Sequence, residues 1–161
     1  MMKIEMQRCR IREFQAEDLA AFMAYHNDLD WMKYQGFKGL TAAEYQQILL
    51  NSQTTMTDGQ QFAIVTQKTP DLVGDLYLKQ EESTIWLGYT IAPRFARQGY
   101  ATEAITGILQ WLSIRKTNYT IKAAVEPGNM VSRHLLMKLG FQMVATQDDI
   151  VVYQLSLRSI H

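Results

Sequence analysis

Arg97, Gly99, Ala101 and Thr102 combine types and spacing that suit an anion. In Phe95-Ala96-Arg97-Gln98-Gly99-Tyr100-Ala101-Thr102-Glu103-Ala104, a permanent positive charge lies two residues ahead of a glycine that opens a helical pattern. The first four N–H groups of a helix have no partner within it, and the helix dipole is positive there. Gly99 has no Cβ to hold an anion away and Ala101 is small, so Gly99–Thr102 can cradle a pyrophosphate. A single glycine before a helix also serves as plain punctuation, and the residues alone leave both readings open. Two other phosphate-binding patterns are excluded. No glycine-rich loop ends in Gly-Lys-Ser or Gly-Lys-Thr, so this is no P-loop nucleotidase. A dinucleotide fingerprint needs three spaced glycines and an acidic residue ending the next strand about 20 residues on. Here one glycine precedes a strand that ends in Glu126.

A second polar pair is Asn129 and Ser132. Pro127-Gly128-Asn129 ends a strand and starts a helix with Val131, Leu135, Leu136 and Leu139 apolar and Gly140 as its C-cap. Asn129 suits the N-cap of that helix, and Ser132 reads as a solvated or locally bonded hydroxyl.

The elements that position these residues are legible. Ile85–Ile91 is β-branched and aromatic and stops before Pro93, as a strand does. Apolar residues then fall at Ala101, Ala104, Ile105, Ile108, Leu109 and Leu112, the stripe of a helix with one buried face. Tyr119–Val125 reads as the next strand. Strand, helix and strand within about 40 residues predict a parallel βαβ unit, with its ligand at the end of the first strand.

Leu87-Gly88-Tyr89-Thr90-Ile91-Ala92-Pro93 and Gln98-Gly99-Tyr100-Ala101-Thr102-Glu103-Ala104 resemble the acetyl-CoA-binding motif of the GNAT N-acetyltransferase superfamily. Asn129-Met130-Val131-Ser132 and Lys138-Leu139-Gly140-Phe141 resemble its second motif, at the right spacing. The resemblance is specific over Trp86–Phe141, diffuse elsewhere, and most similar to the Rim-type branch of ribosomal-protein N-terminal acetyltransferases. It implies an α/β fold: a central mixed, mostly antiparallel sheet, a parallel βαβ pair splayed around the cofactor, and helices on both faces. It implies acetyl-CoA as co-substrate, held by backbone around Tyr89, Thr90 and Ile91, by Arg97, Gln98, Gly99, Tyr100, Ala101 and Thr102, and by Asn129 and Ser132. In the Rim-type branch the serine matching Ser132 lies near the thioester sulfur, so the resemblance makes Ser132 the group that bonds or protonates the leaving thiolate.

Departures from the family pattern bear on the chemistry. Ala96 stands where Gln or Arg often opens the first motif, and Arg97 replaces a frequent glycine. Leu136 occupies the position at which many relatives carry a tyrosine as general acid, and Trp86 the position of a common glutamate base. Asp75, Glu81 and Glu82 remain as base candidates, beside ordered water.

The rest of the chain reads as one domain over residues 1–161. Met6–Ile11 reads as a strand with Cys9 facing the core, since Cys9 and Ile11 share one parity and Arg8, Arg10 and Arg12 the other. Glu17–Leu29 reads as a helix with Leu19, Phe22 and Met23 on one side. Thr41-Ala42-Ala43-Glu44 is a capping box opening another helix, with Tyr45, Ile48 and Leu49 as its buried stripe. Between them, Trp31–Phe37 carries three aromatics, as packing or as one wall of an acceptor pocket. Asp58-Gly59 marks a turn, Phe62–Thr66 and Leu72–Leu78 a hairpin, and Phe141–Ala145 with Ile150–Leu157 a closing pair of strands.

Composition excludes several classes. Lys plus Arg is 16 and Asp plus Glu is 16, so no net field recruits nucleic acid or a membrane surface. No signal-peptide pattern or long apolar run is present, which predicts a cytoplasmic protein. His26, His134 and His161 form no metal-ligand spacing and no pair with Cys9, so no metal is expected. The expectation is an acetyl-CoA-dependent N-acetyltransferase, monomer or homodimer, in which a primary amine attacks directly in a ternary complex. The acceptor is a protein N-terminus, an amino acid or polyamine, or an amine-bearing small molecule. An acidic acceptor pocket would favour a polyamine or aminoglycoside, but Asp28 and Asp30 are the only acidic pair the sequence places near it. The alternative is a CoA-binding regulatory or scaffolding module that has lost the chemistry, motivated by Leu136 and Trp86.

Overall fold

Eight strands form one sheet, in the order β1-β2-β3-β4-β5-β6-β8-β7. The computed structural model describes residues 2–160, so His161 lies outside the described residues. The strands are β1 (Lys3–Glu5), β2 (Cys9–Arg12), β3 (Gln60–Thr66), β4 (Leu72–Glu81), β5 (Thr84–Ile91), β6 (Thr120–Val125), β7 (Gln142–Gln147) and β8 (Ile150–Ser156). The helices are α1 (Leu19–His26), α2 (Ala42–Leu49), α3 (Tyr100–Arg115) and α4 (Met130–Lys138). Only β5 and β6 pair in parallel; the other neighbours are antiparallel. The mixed, mostly antiparallel sheet and the βαβ unit β5-α3-β6 agree with the expected fold.

Alternation along β3 shows how the sheet is covered. Phe62 and Ile64 belong to one core, with Ile105, Ile108 and Leu112 of α3. Ala63 and Val65 belong to a second, with Phe22 of α1 and Tyr45 of α2. Successive residues of a strand face opposite sides. One face therefore carries α3 and the other α1 and α2. The predicted stripe of α3 is buried at Ala104, Ile105, Ile108, Leu109 and Leu112.

The capping box of α2 forms as read: Glu44 N–H donates to Thr41 Oγ1 at 3.2 Å, and Thr41 N–H to Glu44 Oε1 at 3.0 Å. These bonds hold the Glu44 carboxyl below its usual value. Cys9 is fully buried, as its parity implied. Burial first, and then the charge and hydrogen bond of Glu103, push its thiol up to about 12.

Several boundaries differ from the sequence reading. Met6–Ile11 is not one strand: Met6 N–H bonds Cys9 O at 2.9 Å in a tight turn, and β1 pairs back onto β2. Glu17–Leu29 is a 3-10 turn (Ala16–Asp18) followed by the shorter α1, because Asp18 is pinned. It is buried, takes Arg12 Nη1 and Nη2 at 2.7 and 3.1 Å, and accepts from Gln15 N–H at 2.8 Å. Ile48 was placed on a buried stripe but is 46% exposed, and Val131, one of the apolar residues of α4, is 78% exposed. Both line cavities instead of packing.

Candidate active site

A cleft opens because two parallel strands part. β5 pairs with β6 only from Thr84–Trp86 against Thr120–Lys122, whereas β6 keeps its pairing with β8 through Val125. Beyond Trp86 the β6-facing edge of β5 has no strand on it, so its backbone groups are free to bond a ligand. The loop after β5 places Arg97 at φ 62° and Gly99 at φ 84°, and the chain enters α3 at Tyr100. The left-handed conformation at Gly99 suits glycine, and a Cβ there would also stand 3.2 Å from Arg8 Nη2. The helix bond from Glu103 N–H to Gly99 O leaves the N–H groups of Tyr100, Ala101 and Thr102 without a partner in the helix.

A cleft of about 760 Å³ opens over these groups. It is lined by Tyr89, Thr90 and Ile91 of β5, by Arg97, Gly99, Tyr100, Ala101 and Thr102, and by Asn129 and Ser132 of α4. Gln98 alone of the expected cofactor residues lies outside the lining; its side chain donates to Arg94 O at 3.0 Å and its carbonyl accepts from Arg8 Nη1. Asn129 does cap α4, accepting Ser132 N–H at 3.3 Å, while still lining the cleft. The aromatic loop divides its work. Trp31 Nε1 donates to Ile91 O at 3.0 Å, and Tyr34 reaches the turn before α4, where a Cβ on Gly128 would lie 3.0 Å from its hydroxyl. Met32 and Phe37 face the other cavity, and Gln35 lines both.

Ser132 is buried and its Oγ lies 2.5 Å from Tyr89 Oη. Burial pushes the Tyr89 phenol up to about 12, with the Ser132 hydrogen bond opposing. The phenol therefore holds its proton at neutral pH and is a donor. Leu136, fully buried in the core, can donate nothing. Sequence reasoning gave Tyr89 a backbone role and missed its hydroxyl. The available signal was parity: Tyr89 alternates with the buried Ile85 and Leu87, so it faces the side of α3 and α4.

On the opposite face lies a second cavity, of about 660 Å³, under α1, α2 and the aromatic loop. It meets the first cleft at Gln35, Tyr89 and Thr90, which line both. Asp75 of β4, cross-strand partner of Thr90, is buried at its floor. Its Oδ2 takes the Tyr25 hydroxyl at 2.5 Å and His26 Nε2 at 2.6 Å, while His26 Nδ1 meets Phe37 O at 2.6 Å. His26 stacks on Phe22 at 3.8 Å between ring centroids. Burial, then the charge and hydrogen bond of Asp75, hold the Tyr25 phenol well above its usual range.

Of the three base candidates, only Asp75 lies at the junction. Glu81 and Glu82 are exposed at the β4–β5 turn, the opposite end of β5 from Tyr89–Ile91. The acidic residues of the second cavity are Asp58 and Asp75, not Asp28 and Asp30, of which Asp30 lines the first cleft. His134 is exposed. Among the described residues no group of three His, Cys, Asp or Glu could hold a metal ion. None of the described helices is long and apolar enough to cross a membrane.

Comparison with known proteins agrees with this fold. A family model described as the acetyltransferase (GNAT) domain matches residues 8–142. The chain is 27% identical over 143 residues to YnaD of Bacillus subtilis, named as an uncharacterized N-acetyltransferase, with 88% of this chain and 83% of YnaD covered. A GNAT-family acetyltransferase from Bacillus anthracis superposes with a TM-score of 0.85 at 22% identity, covering 97% of this chain and 99% of the other. RimL, a ribosomal-protein alpha-N-acetyltransferase solved with coenzyme A, superposes with a TM-score of 0.84 at 12% identity, covering 98% and 99%.

Proposed function

The chain belongs to the GNAT acetyltransferase family, and from that premise we propose that it moves an acetyl group from acetyl-CoA directly onto a primary amine. The observation that carries this reading is the meeting of two cavities at Tyr89 and Thr90, one beside free β5 backbone and a helix N-terminus, the other beside a buried carboxylate. The residues fit the cofactor: the N–H groups of Tyr100, Ala101 and Thr102 and the Arg97 guanidinium suit a pyrophosphate, and the open edge of β5 suits an extended amide-bearing arm. Acetyl-CoA supplies the activated thioester.

Each remaining task falls to named groups. Free N–H donors on the Leu87–Ile91 edge stabilise negative charge as it develops on the acetyl oxygen. The amine nitrogen bonds the acetyl carbon, the carbon–sulfur bond breaks, and sulfur keeps the electron pair. An ordinary thiol has a pKa of about 8.5, so the departing thiolate needs only a hydrogen bond to leave at neutral pH. Ser132 donates that bond, and Tyr89 replenishes it from 2.5 Å away. The amine enters as an ammonium with a pKa near 10 and loses one proton to solvent water before attack; the second proton leaves nitrogen as the amide forms and neutralises the released thiolate through water.

Calorimetric titration with CoA, joined to mass-spectrometric detection of acetylated products over a broad amine panel, tests the reading. CoA binding with transfer to at least one amine is the expected result. CoA binding with no transfer at any pH from 6 to about 10 would leave a binding module and overturn the transferase reading.

A further inference from the structure

The cavity opposite the cofactor cleft has a floor that can be written out from strand register. Ala63, Asp75 and Thr90 lie side by side across β3, β4 and β5, and Gln61, Tyr77 and Gly88 form the next row on the same face. Gly88 leaves room beside the larger side chains, and Ala63 is covered by the core. Gly74 fixes the approach of β4 to β5, because a Cβ there would stand 2.2 Å from Thr90 O.

One acceptor at the floor of this space lacks a donor. Both bonds to Asp75 land on Oδ2, and Oδ1 has no hydrogen-bond partner among the described residues. Asp58 adds a carboxylate at the mouth. No Lys or Arg lines the cavity, and His26 cannot serve as a cation for a ligand, since Phe37 O and Asp75 Oδ2 occupy both its ring nitrogens. A buried acceptor left unpaired is unfavourable, so the matching ligand is rich in N–H and O–H donors. A carboxylate on the ligand would find no counter-charge and would face Asp58 and the acceptor Oδ1 of Asp75.

The state of the Asp75–His26 pair follows from its contacts. Phe37 O can only accept, so His26 Nδ1 carries a hydrogen. The 2.6 Å contact between Nε2 and Oδ2 needs one more, on either atom. The pair thus already holds a proton and is neutral as a whole. A second proton would leave a buried cation, so Asp75 orients the amine instead of acting as its base.

We infer that this cavity takes a small primary amine rich in hydrogen-bond donors and lacking a carboxylate, a polyamine or an amino sugar, whose nitrogen is received by Asp75 Oδ1 beside Thr90. The inference rests on the transferase reading above and narrows its acceptor. Free amino acids and protein N-termini are the poorer ligands.

The test compares cadaverine, spermidine and glucosamine with lysine, which is cadaverine plus a carboxylate, and with a short peptide bearing a free N-terminus. Cadaverine, spermidine or glucosamine should exceed lysine and the peptide at least tenfold in kcat/KM; the ranking among those three separates the polyamine from the amino-sugar source. Equal or better use of lysine or the peptide would overturn the inference while leaving the transferase reading intact. If no amine turns over, calorimetric titration of cadaverine and lysine onto the CoA-bound protein decides: cadaverine binding at least tenfold tighter supports the assignment, and equal affinity refutes it. Failure to bind CoA would overturn the transferase reading, and the same titration on the free protein would still judge the cavity.

Asp75→Asn should raise the amine KM at least tenfold, with kcat falling less and acetyl-CoA affinity within twofold of wild type. Because Asp75 is bonded to two partners, Asp58→Asn provides a variant that removes a cavity carboxylate while keeping an oxygen to accept from Thr55. It should melt near the wild-type temperature and still raise the amine KM about threefold. An unchanged amine KM in both Asp75→Asn and Asp58→Asn would count against a ligand role for the cavity.

Discussion

The cleft we assign to the cofactor and the cavity we assign to the acceptor share Tyr89 and Thr90 yet are built in opposite ways. The cleft comes from consecutive elements: β5, the Arg97–Gly99 loop, α3 and the start of α4. Its binding groups are largely backbone, and helix starts and strand edges supply them wherever the chain takes that path. The acceptor cavity draws on α1, the aromatic loop, α2 and three strands, and its central bond joins His26 to Asp75 across 49 positions. Local backbone geometry makes a general anion site, whereas side chains gathered from distant segments make a selective one.

That contrast sets the size of the expected effects. Gly99 is a poor place to probe the cleft, since its φ of 84° makes any side chain strained. Ala101→Glu is cleaner: a carboxylate in the first turn suits the helix dipole, so the fold is kept while the anion cradle is filled. CoA affinity should fall at least a hundredfold with an unchanged melting temperature. Retained affinity would remove the pyrophosphate from α3.

Next in size is the thiolate donor. Ser132→Ala should bind acetyl-CoA within a few-fold of wild type and transfer about 10 to 100 times more slowly in single turnovers, because the bond is made mainly in the transition state. Tyr89→Phe should lose less, and the double variant should be no slower than Ser132→Ala if the two hydroxyls act as a unit. A wild-type rate in Ser132→Ala would pass the role to water.

Arg97 comes third. It is exposed and lines the cleft, so a clamping role predicts about tenfold weaker CoA binding in Arg97→Ala, with a reduced salt dependence. A change below about twofold at low salt would show that its charge is spent on solvent.

The smallest effect concerns the support behind the cleft. Glu103 of α3 accepts Arg8 N–H at 2.8 Å, Arg8 Nε at 2.7 Å and Cys9 N–H at 3.2 Å, tying the β1–β2 hairpin to the helix that opens the cleft. Burial acts to raise its pKa, but the Arg8 bonds and charge outweigh it and the carboxyl is held below its usual value. A depressed carboxylate contributes stability above the unfolded pKa, about 4.3, and loses it as pH falls through the folded value. Glu103→Gln should lower the melting temperature by about 4–8 °C at pH 7, for about 2 kcal/mol lost, with CoA affinity nearly unchanged. The gap from wild type should shrink as the pH drops below about 4; a gap independent of pH would point to packing.

Much of this was legible in the chain, for reasons that differ by residue. Thr41 and Glu44 are three apart, so their reciprocal bonds are settled within one helical turn. The stripe from Ala104 to Leu112 needs only a partner face, and any sheet supplies one. Ile48 and Val131 fit the same periodicity but are exposed, because an apolar stripe says which side of a helix turns inward and not where a cavity interrupts the packing.

By itself the sequence determined the βαβ unit, the glycine-led start of α3, the capping of α2 and α4, and the inward face of Cys9. Each follows from dihedral preference or periodicity within a few residues. Only the tertiary structure decided that β5 leaves β6 after Trp86, that the Tyr89 hydroxyl meets Ser132, and that Asp75 lies buried between Tyr25 and His26. Those pairings depend on strand register and helix placement, which bring together residues whose chemistry is invisible until they touch.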